Sequence, residues 1–158
     1  MAKPRRIRRA VDEPDLPAGG ALFRYLESSA VVAALLDGDA EARQAVEGEG
    51  QRFASALTFA ESARAVLRAR LAGHLDSNGE RTILRRLRRI EERCQVAAIS
   101  PPVLVRASRP FAVEPVRTLD AIHLATVELL GETPQLVTIV TRDRRIRENA
   151  IAMGYVVE

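Results

Sequence analysis

The sequence has no tryptophan, only four phenylalanines and two tyrosines, and a single cysteine. Lysine is almost missing too: of 24 basic residues only Lys3 is lysine, and the other 23 are arginine. Each shortage closes off a class. One cysteine, Cys94, excludes an internal disulfide and fits a reducing compartment, so the expected location is the cytoplasm. Cys94 itself is expected to be a small buried residue just ahead of a strand. No apolar run approaches the roughly 18 residues of a membrane span, so no membrane partner is expected. Basic residues open the chain without an apolar stretch behind them, and no secretory signal is expected. A phosphoryl-accepting receiver domain needs a lysine beside its acidic pocket, and Lys3 lies in the tail. The first apolar strand leads into Glu27-Ser28-Ser29-Ala30 rather than G-x-G-x-x-G, and no P-loop follows, which excludes the familiar nucleotide-binding domains.

What is present fits one soluble domain. A length of 158 residues can bury a substantial core, and 47% apolar with 28% charged residues is ordinary for a globular chain. Residues 1–20 combine three prolines, paired glycines and a basic cluster without apolar periodicity, and are expected to be a flexible basic extension ahead of a domain over residues 21–158. That extension carries five basic and three acidic residues, leaving the remaining 138 residues a net charge of only +1. A pI near 9.7 therefore permits a nucleic-acid partner without demanding one.

Apolar periodicity predicts strands at 21–26, 53–55, 95–99, 136–140 and 155–157. Helices are predicted at about 28–36, 40–46, 58–72, 80–93, 101–110, 118–130 and 144–153. Alternating strands and helices predict right-handed crossovers, hence a single α/β/α sandwich around a parallel sheet. The best-specified helix is Thr118–Gly131, TLDAIHLATVELLG, apolar around most of its circumference, with Thr118 expected to cap its start and Gly131 its end. Ser28 and Ser29 are expected to cap the first helix, and Thr58 with Glu61 has capping-box spacing.

Four carboxylates fall at element boundaries. Glu27 closes the first strand, Asp143 lies just beyond the LVTIV strand, and Glu61 and Asp120 are expected in the first turns of their helices. In parallel sheets the chemistry collects at the carboxyl ends of the strands. One acid in a first turn is explained by the helix dipole, worth about 0.3–1 kcal/mol. Four acids at one edge repel one another, and a divalent cation relieves that repulsion. All-oxygen ligands suit Mg²⁺ or Mn²⁺ rather than zinc. His123, one turn past Asp120 on an apolar helix, is read as a packed, hydrogen-bonded core residue.

The segments YLESSAVVAALL, LTFAESARAV, TLDAIHLATVELL and LVTIVTRDRRIRENAIAMGYVV resemble the successive signature blocks of the PIN-domain nucleases, especially VapC-type toxins. The resemblance runs over about residues 22–158. It implies a metal-dependent endoribonuclease with Glu27, Glu61, Asp120 and Asp143 as the metal-binding and catalytic acids, and with Ser29 and Thr141 ordering them. It also implies a VapB-type antitoxin that holds the toxin inactive, and homodimerisation. Arg142, Arg144 and Arg145 flank Asp143 and are candidate contacts for RNA. The family usually carries aspartate where this chain has Glu27, and the extra methylene moves the carboxylate by one C–C bond, roughly 1.5 Å. Mg²⁺ tolerates such displacement poorly, so Glu27→Asp is expected to raise Mg²⁺-supported cleavage unless the backbone has adapted to glutamate. The alternative is a non-catalytic PIN fold that binds RNA or a protein partner, its site weakened by Glu27.

Overall fold

The computed structural model describes residues 23–158, so the expected extension over residues 1–20 and the first two residues of the expected first strand lie outside the described residues. Five strands form the centre: β1 (Phe23–Leu26), β2 (Gln51–Ser55), β3 (Cys94–Ala97), β4 (Val137–Val140) and β5 (Val156–Val157). They are all parallel and lie in the order β3-β2-β1-β4-β5. Around them pack α1 (Ser28–Leu35), α2 (Ala40–Glu47), α3 (Ala56–Leu71), α4 (Ser77–Glu91), α5 (Pro101–Ala107), α6 (Thr118–Leu129) and α7 (Arg144–Ala152). This is the expected α/β/α sandwich. Among the described residues no helix is long and apolar enough to cross a membrane.

The period of two along each strand divides the core into two halves. Leu26, Ala54 and Val140 face one side, where Val31, Val46, Phe59 and Leu87 pack on them. Tyr25, Val137 and Ile139 face the other, against Val103, Leu124 and Ile146. A parallel sheet covered on both faces needs apolar residues in both phases, which explains why LVTIV is continuous rather than alternating. Strands β1, β2 and β3 are added in one direction, after which the chain returns to place β4 on the opposite side of β1. The order therefore reverses between β1 and β4, and the crevice outside the carboxyl ends there is where such folds bind ligands. Glu27 follows β1 directly, and its amide donates to the Val140 carbonyl at 3.0 Å, holding the two strand ends together.

Several helix starts differ from expectation. Glu27, not Ser28 or Ser29, caps α1, its side chain accepting from the Ser29 amide. Ser55 caps α3 three residues earlier than the spacing predicts, so Thr58 lies inside the helix and donates its hydroxyl to the Leu26 carbonyl at 3.0 Å. The Thr58–Glu61 capping box does not form, and Glu61 sits in the second turn. Burial decides this: Thr58 is fully enclosed, and its hydroxyl must find an acceptor there. Asp76 caps α4 through the Gly79 amide, drawing the expected Asp76–Gly79 turn into the first helical turn. Thr118 is the first residue of α6 rather than its cap; Arg117 holds that position without a side-chain bond. Gly131 does end the helix, at φ 74°, where a side chain would be strained. Seven consecutive residues of α6, Ala121–Val127, are buried, whereas Leu119 and Leu129 in its end turns are about half exposed.

Ile139 is fully enclosed on β4, next to the central strand β1. Ile139→Ala is expected to cost about 2–5 kcal/mol, read as a lower urea midpoint with unchanged slope.

Candidate active site

Four chain segments deliver side chains to the crevice at the strand-order reversal. Glu27, Glu61, Asp120 and Asp143 all line one cavity of about 310 Å³, together with Ser29 and Arg117. The sequence-predicted acids are thus brought to one place, although each is held differently.

Glu27 is buried, 3% exposed, and its carboxylate is fully occupied. Oε1 accepts from the Ser28 hydroxyl at 2.7 Å and the Ser29 amide at 3.0 Å. Oε2 accepts from the Ser29 hydroxyl and from Thr141 Oγ1, the latter at 2.8 Å. Ser29 Oγ in turn accepts from the Arg142 amide at 2.8 Å, and Thr141 Oγ1 from the Asp143 amide at 3.0 Å. A buried carboxylate without such donors would be costly. Ser29 and Thr141 therefore stand beside Glu27, where they were expected to help order the site.

Asp143 caps α7, with Oδ1 accepting from the Arg145 and Ile146 amides at 2.8 and 3.2 Å. Glu61 accepts at Oε2 from His123 Nε2 at 2.8 Å, rather than pairing with Arg64 one helical turn away. Burial raises its carboxyl pKa, but the hydrogen bond from His123, helped by the charge of Arg68, outweighs this and holds it below the usual carboxylate range. Asp120 is the unsatisfied member. Its Oδ2 is buried without a hydrogen-bond partner among the described residues. Burial, reinforced by the charges of Asp143 and Glu27, raises its pKa against the opposing pull of Arg117 and Arg145.

His123 is 1% exposed and hydrogen-bonded, as expected of a core residue. Its link to Glu61 was not anticipated, although a position one turn past Asp120 puts it on the same helical face. Ligand-capable atoms of Glu27, Glu61 and His123 lie within 4.8 Å of one another. Arg117 was also missed, having no motif to mark it. Of the arginines expected at RNA, Arg145 acts on Asp120, whereas Arg142 pairs with Asp39 at 2.9 Å and Arg144 with Glu148 at 3.0 Å. Arg142 lines a separate cavity of about 470 Å³, where Arg24 is already paired with Glu158. Cys94, the first residue of β3, is half-buried rather than buried, and burial pushes its thiol up to about 11, so it is no ready nucleophile.

The donor set suits a hard divalent cation. Asp120 has an orphaned buried oxygen, and its neighbours raise its proton affinity through negative charge, which a cation would reverse.

A family model described as PIN domain matches residues 24–152. No curated protein sequence matches the chain. Solved structures with this fold include a toxin–antitoxin complex from Klebsiella pneumoniae, 19% identical, covering 85% of this chain and 95% of that one, with a TM-score of 0.57. Mycobacterium tuberculosis VapC20, a toxin that cleaves the sarcin-ricin loop, is 18% identical over 84% of this chain and 96% of its own, with a TM-score of 0.57. VapBC2 from Rickettsia felis, bound to a DNA fragment from its promoter, is 12% identical over 86% and 97%, with a TM-score of 0.59. Identities this low carry the fold alone, but the family model spans most of the chain from β1 through α7: the chain belongs to the PIN domain family.

Proposed function

We propose that the protein is a Mg²⁺- or Mn²⁺-dependent endoribonuclease, the toxin of a toxin–antitoxin pair that a VapB-type antitoxin holds inactive in the cytoplasm. The observation that carries this is Asp120: a buried carboxylate oxygen without a partner, in a cavity shared with three other acids. The family supports nuclease chemistry, and similarity to VapC20 and to toxin–antitoxin complexes supports RNA as substrate and an antitoxin as partner. Homodimerisation rests on the family resemblance.

Asp120, Asp143 and Glu61 would hold the cation. Glu61 Oε1 and Asp143 Oδ2 accept no hydrogen bond among the described residues, so each of these acids is anchored by one oxygen and free at the other. A bound divalent cation supplies Lewis acidity, activating a water and offsetting charge on the phosphodiester. Glu27 has its acceptor positions taken and acts as a brace, with Ser29 and Thr141 fixing its two oxygens. Arg117 and Arg145 offer positive charge beside the acids to orient a phosphate. No side-chain nucleophile is required. The saturated state of Glu27 also suits the alternative of a non-catalytic PIN fold that binds RNA or protein. Purified protein incubated with total RNA and Mg²⁺, Mn²⁺ or EDTA separates the two: cation-dependent cleavage supports the enzyme, and its absence supports the binding module.

Three outcomes are expected. Asp120→Asn should reduce cleavage below detection while raising thermal stability. The folded-state pKa of Asp120 lies above its unfolded value, so its charge costs stability above that pKa and the cost fades as pH falls through it. The variant's melting advantage should therefore be greatest at neutral pH and shrink in acid; an Asp120→Asn protein that cleaves like the parent would refute the assignment.

Millimolar Mn²⁺ should raise the parent's melting temperature with concentration, and much less that of Glu61→Gln combined with Asp143→Asn. Equal shifts would place the ion elsewhere.

Glu27→Asp should now lower stability and cleavage in both metals, because a shorter side chain cannot keep all four hydrogen bonds and each stranded donor costs about 1–3 kcal/mol. Faster Mg²⁺ cleavage by that variant would instead show that glutamate is a compromised ligand.

A further inference from the structure

A hydrogen-bonded chain runs from the core into the acidic cavity. Tyr25 Oη lies 2.8 Å from His123 Nδ1, and His123 Nε2 lies 2.8 Å from Glu61 Oε2. Tyr25 and His123 are each 1% exposed, whereas Glu61 reaches the cavity wall. We propose that Tyr25 and His123 are positioning residues: the relay holds one oxygen of Glu61 and presents the other to a cation, with His123 itself outside the ligand set. This rests on the cavity binding a divalent cation, as proposed above.

The competing assignment makes His123 a ligand beside Glu27 and Glu61, whose atoms lie within 4.8 Å of it. Proton bookkeeping decides against it. A tyrosine hydroxyl has one proton; His123 Nδ1 lies 2.8 Å from its oxygen, which the Thr126 hydroxyl and the Ser55 backbone also approach. The nearby Thr126 hydroxyl spends its own proton on the Ile122 carbonyl at 2.7 Å. With Tyr25 donating along its 2.8 Å contact to Nδ1, the ring proton stays on Nε2, aimed at Glu61. The opposite tautomer would set a bare nitrogen against a carboxylate oxygen 2.8 Å away, two acceptors without a proton between them. With Nδ1 occupied by Tyr25 and Nε2 protonated, the imidazole has no lone pair for a metal. The ligands are then oxygens only, which favours Mg²⁺ or Mn²⁺ over zinc. The arrangement inverts the usual support of a metal-bound histidine by a carboxylate: here a histidine fixes a carboxylate.

The test begins without catalysis. In ¹⁵N-labelled protein the His123 ring should show the Nε2–H tautomer both before and after Mg²⁺ addition. The exposed His74 is removed from the spectrum by His74→Gln. Loss of the Nε2 proton on adding Mg²⁺, or an Nδ1–H ring from the outset, overturns the proposal. Mn²⁺ affinity by calorimetry supplies the second arm. His123→Leu should weaken binding by about 10–100-fold, the usual range for losing an outer partner. His123→Gln keeps a donor toward Glu61 and should recover most of that loss; Tyr25→Phe, which keeps the ring volume, should lose severalfold. Parent-like affinity in His123→Leu, or no recovery in His123→Gln, overturns the positioning role. Melting curves without cation identify any variant that has lost its fold. Should the parent bind no Mn²⁺, the cation-dependent function falls, while the ring spectrum still decides whether the relay exists.

Discussion

The architecture of the site depends on the carboxylate of Glu27 and the three hydroxyls around it. Glu27 follows β1, caps α1 and reaches across to Thr141 on the segment after β4, so one side chain ties together both strands that flank the order reversal. Ser29 and Thr141 extend the tie by accepting the Arg142 and Asp143 amides. The turn that carries Asp143 is thereby held in the same network as the start of α1. A buried carboxylate is a poor choice for stability alone. In this position it gives four donors one shared acceptor group and sets the spacing between the two segments that leave β1 and β4.

Around that brace the charges are unevenly satisfied. Glu27 and Asp143 each sit at a helix N-terminus and accept backbone amides there, where the helix dipole favours them. Asp120, in the first turn of α6, gains proximity to the same kind of helix end but no hydrogen bond for Oδ2. Much nearby arginine charge is committed elsewhere, Arg142 to Asp39 and Arg144 to Glu148. The cavity keeps a surplus of negative charge that the rest of the fold does not neutralise. The arginines of α4 do not bear on it: Ile83 and Leu87 turn to the core, and Arg81, Arg85, Arg88 and Arg89 lie exposed.

Much of this was legible in the sequence. The alternation of apolar strands with amphipathic helices predicted the parallel sandwich, and LVTIV marked a strand buried on both faces. Glu27, Asp120 and Asp143 were found by their place at element boundaries, which is a local signal, whereas Glu61, expected in a first turn, lies in the second turn of α3. What escaped was set by tertiary contact. Thr58 looked like a cap until burial beneath β1 required its hydroxyl to meet the Leu26 carbonyl. Ser28 and Ser29 looked like caps of α1, yet they donate to Glu27, a role visible only once Thr141 arrives from the other end of the chain. His123 was correctly placed in the core, but its partners, Tyr25 and Glu61, lie on a different strand and helix. Periodicity reports which face a residue occupies, not which donor it will meet.

The brace also orders events in time. Glu27 and Thr141 are 114 residues apart, so their hydrogen bond closes almost the whole domain and cannot form early by local search. During synthesis, Glu27, Glu61 and Asp120 are all added to the chain before Thr141 and Asp143. The serine hydroxyls next to Glu27 are available to it throughout, but the second strand end that aligns them is not. Completion of the cavity is therefore coupled to completion of β4, and a chain that stops short of it has three of the acids without Asp143 and without the Thr141 hydroxyl that ties Glu27 to the β4 end.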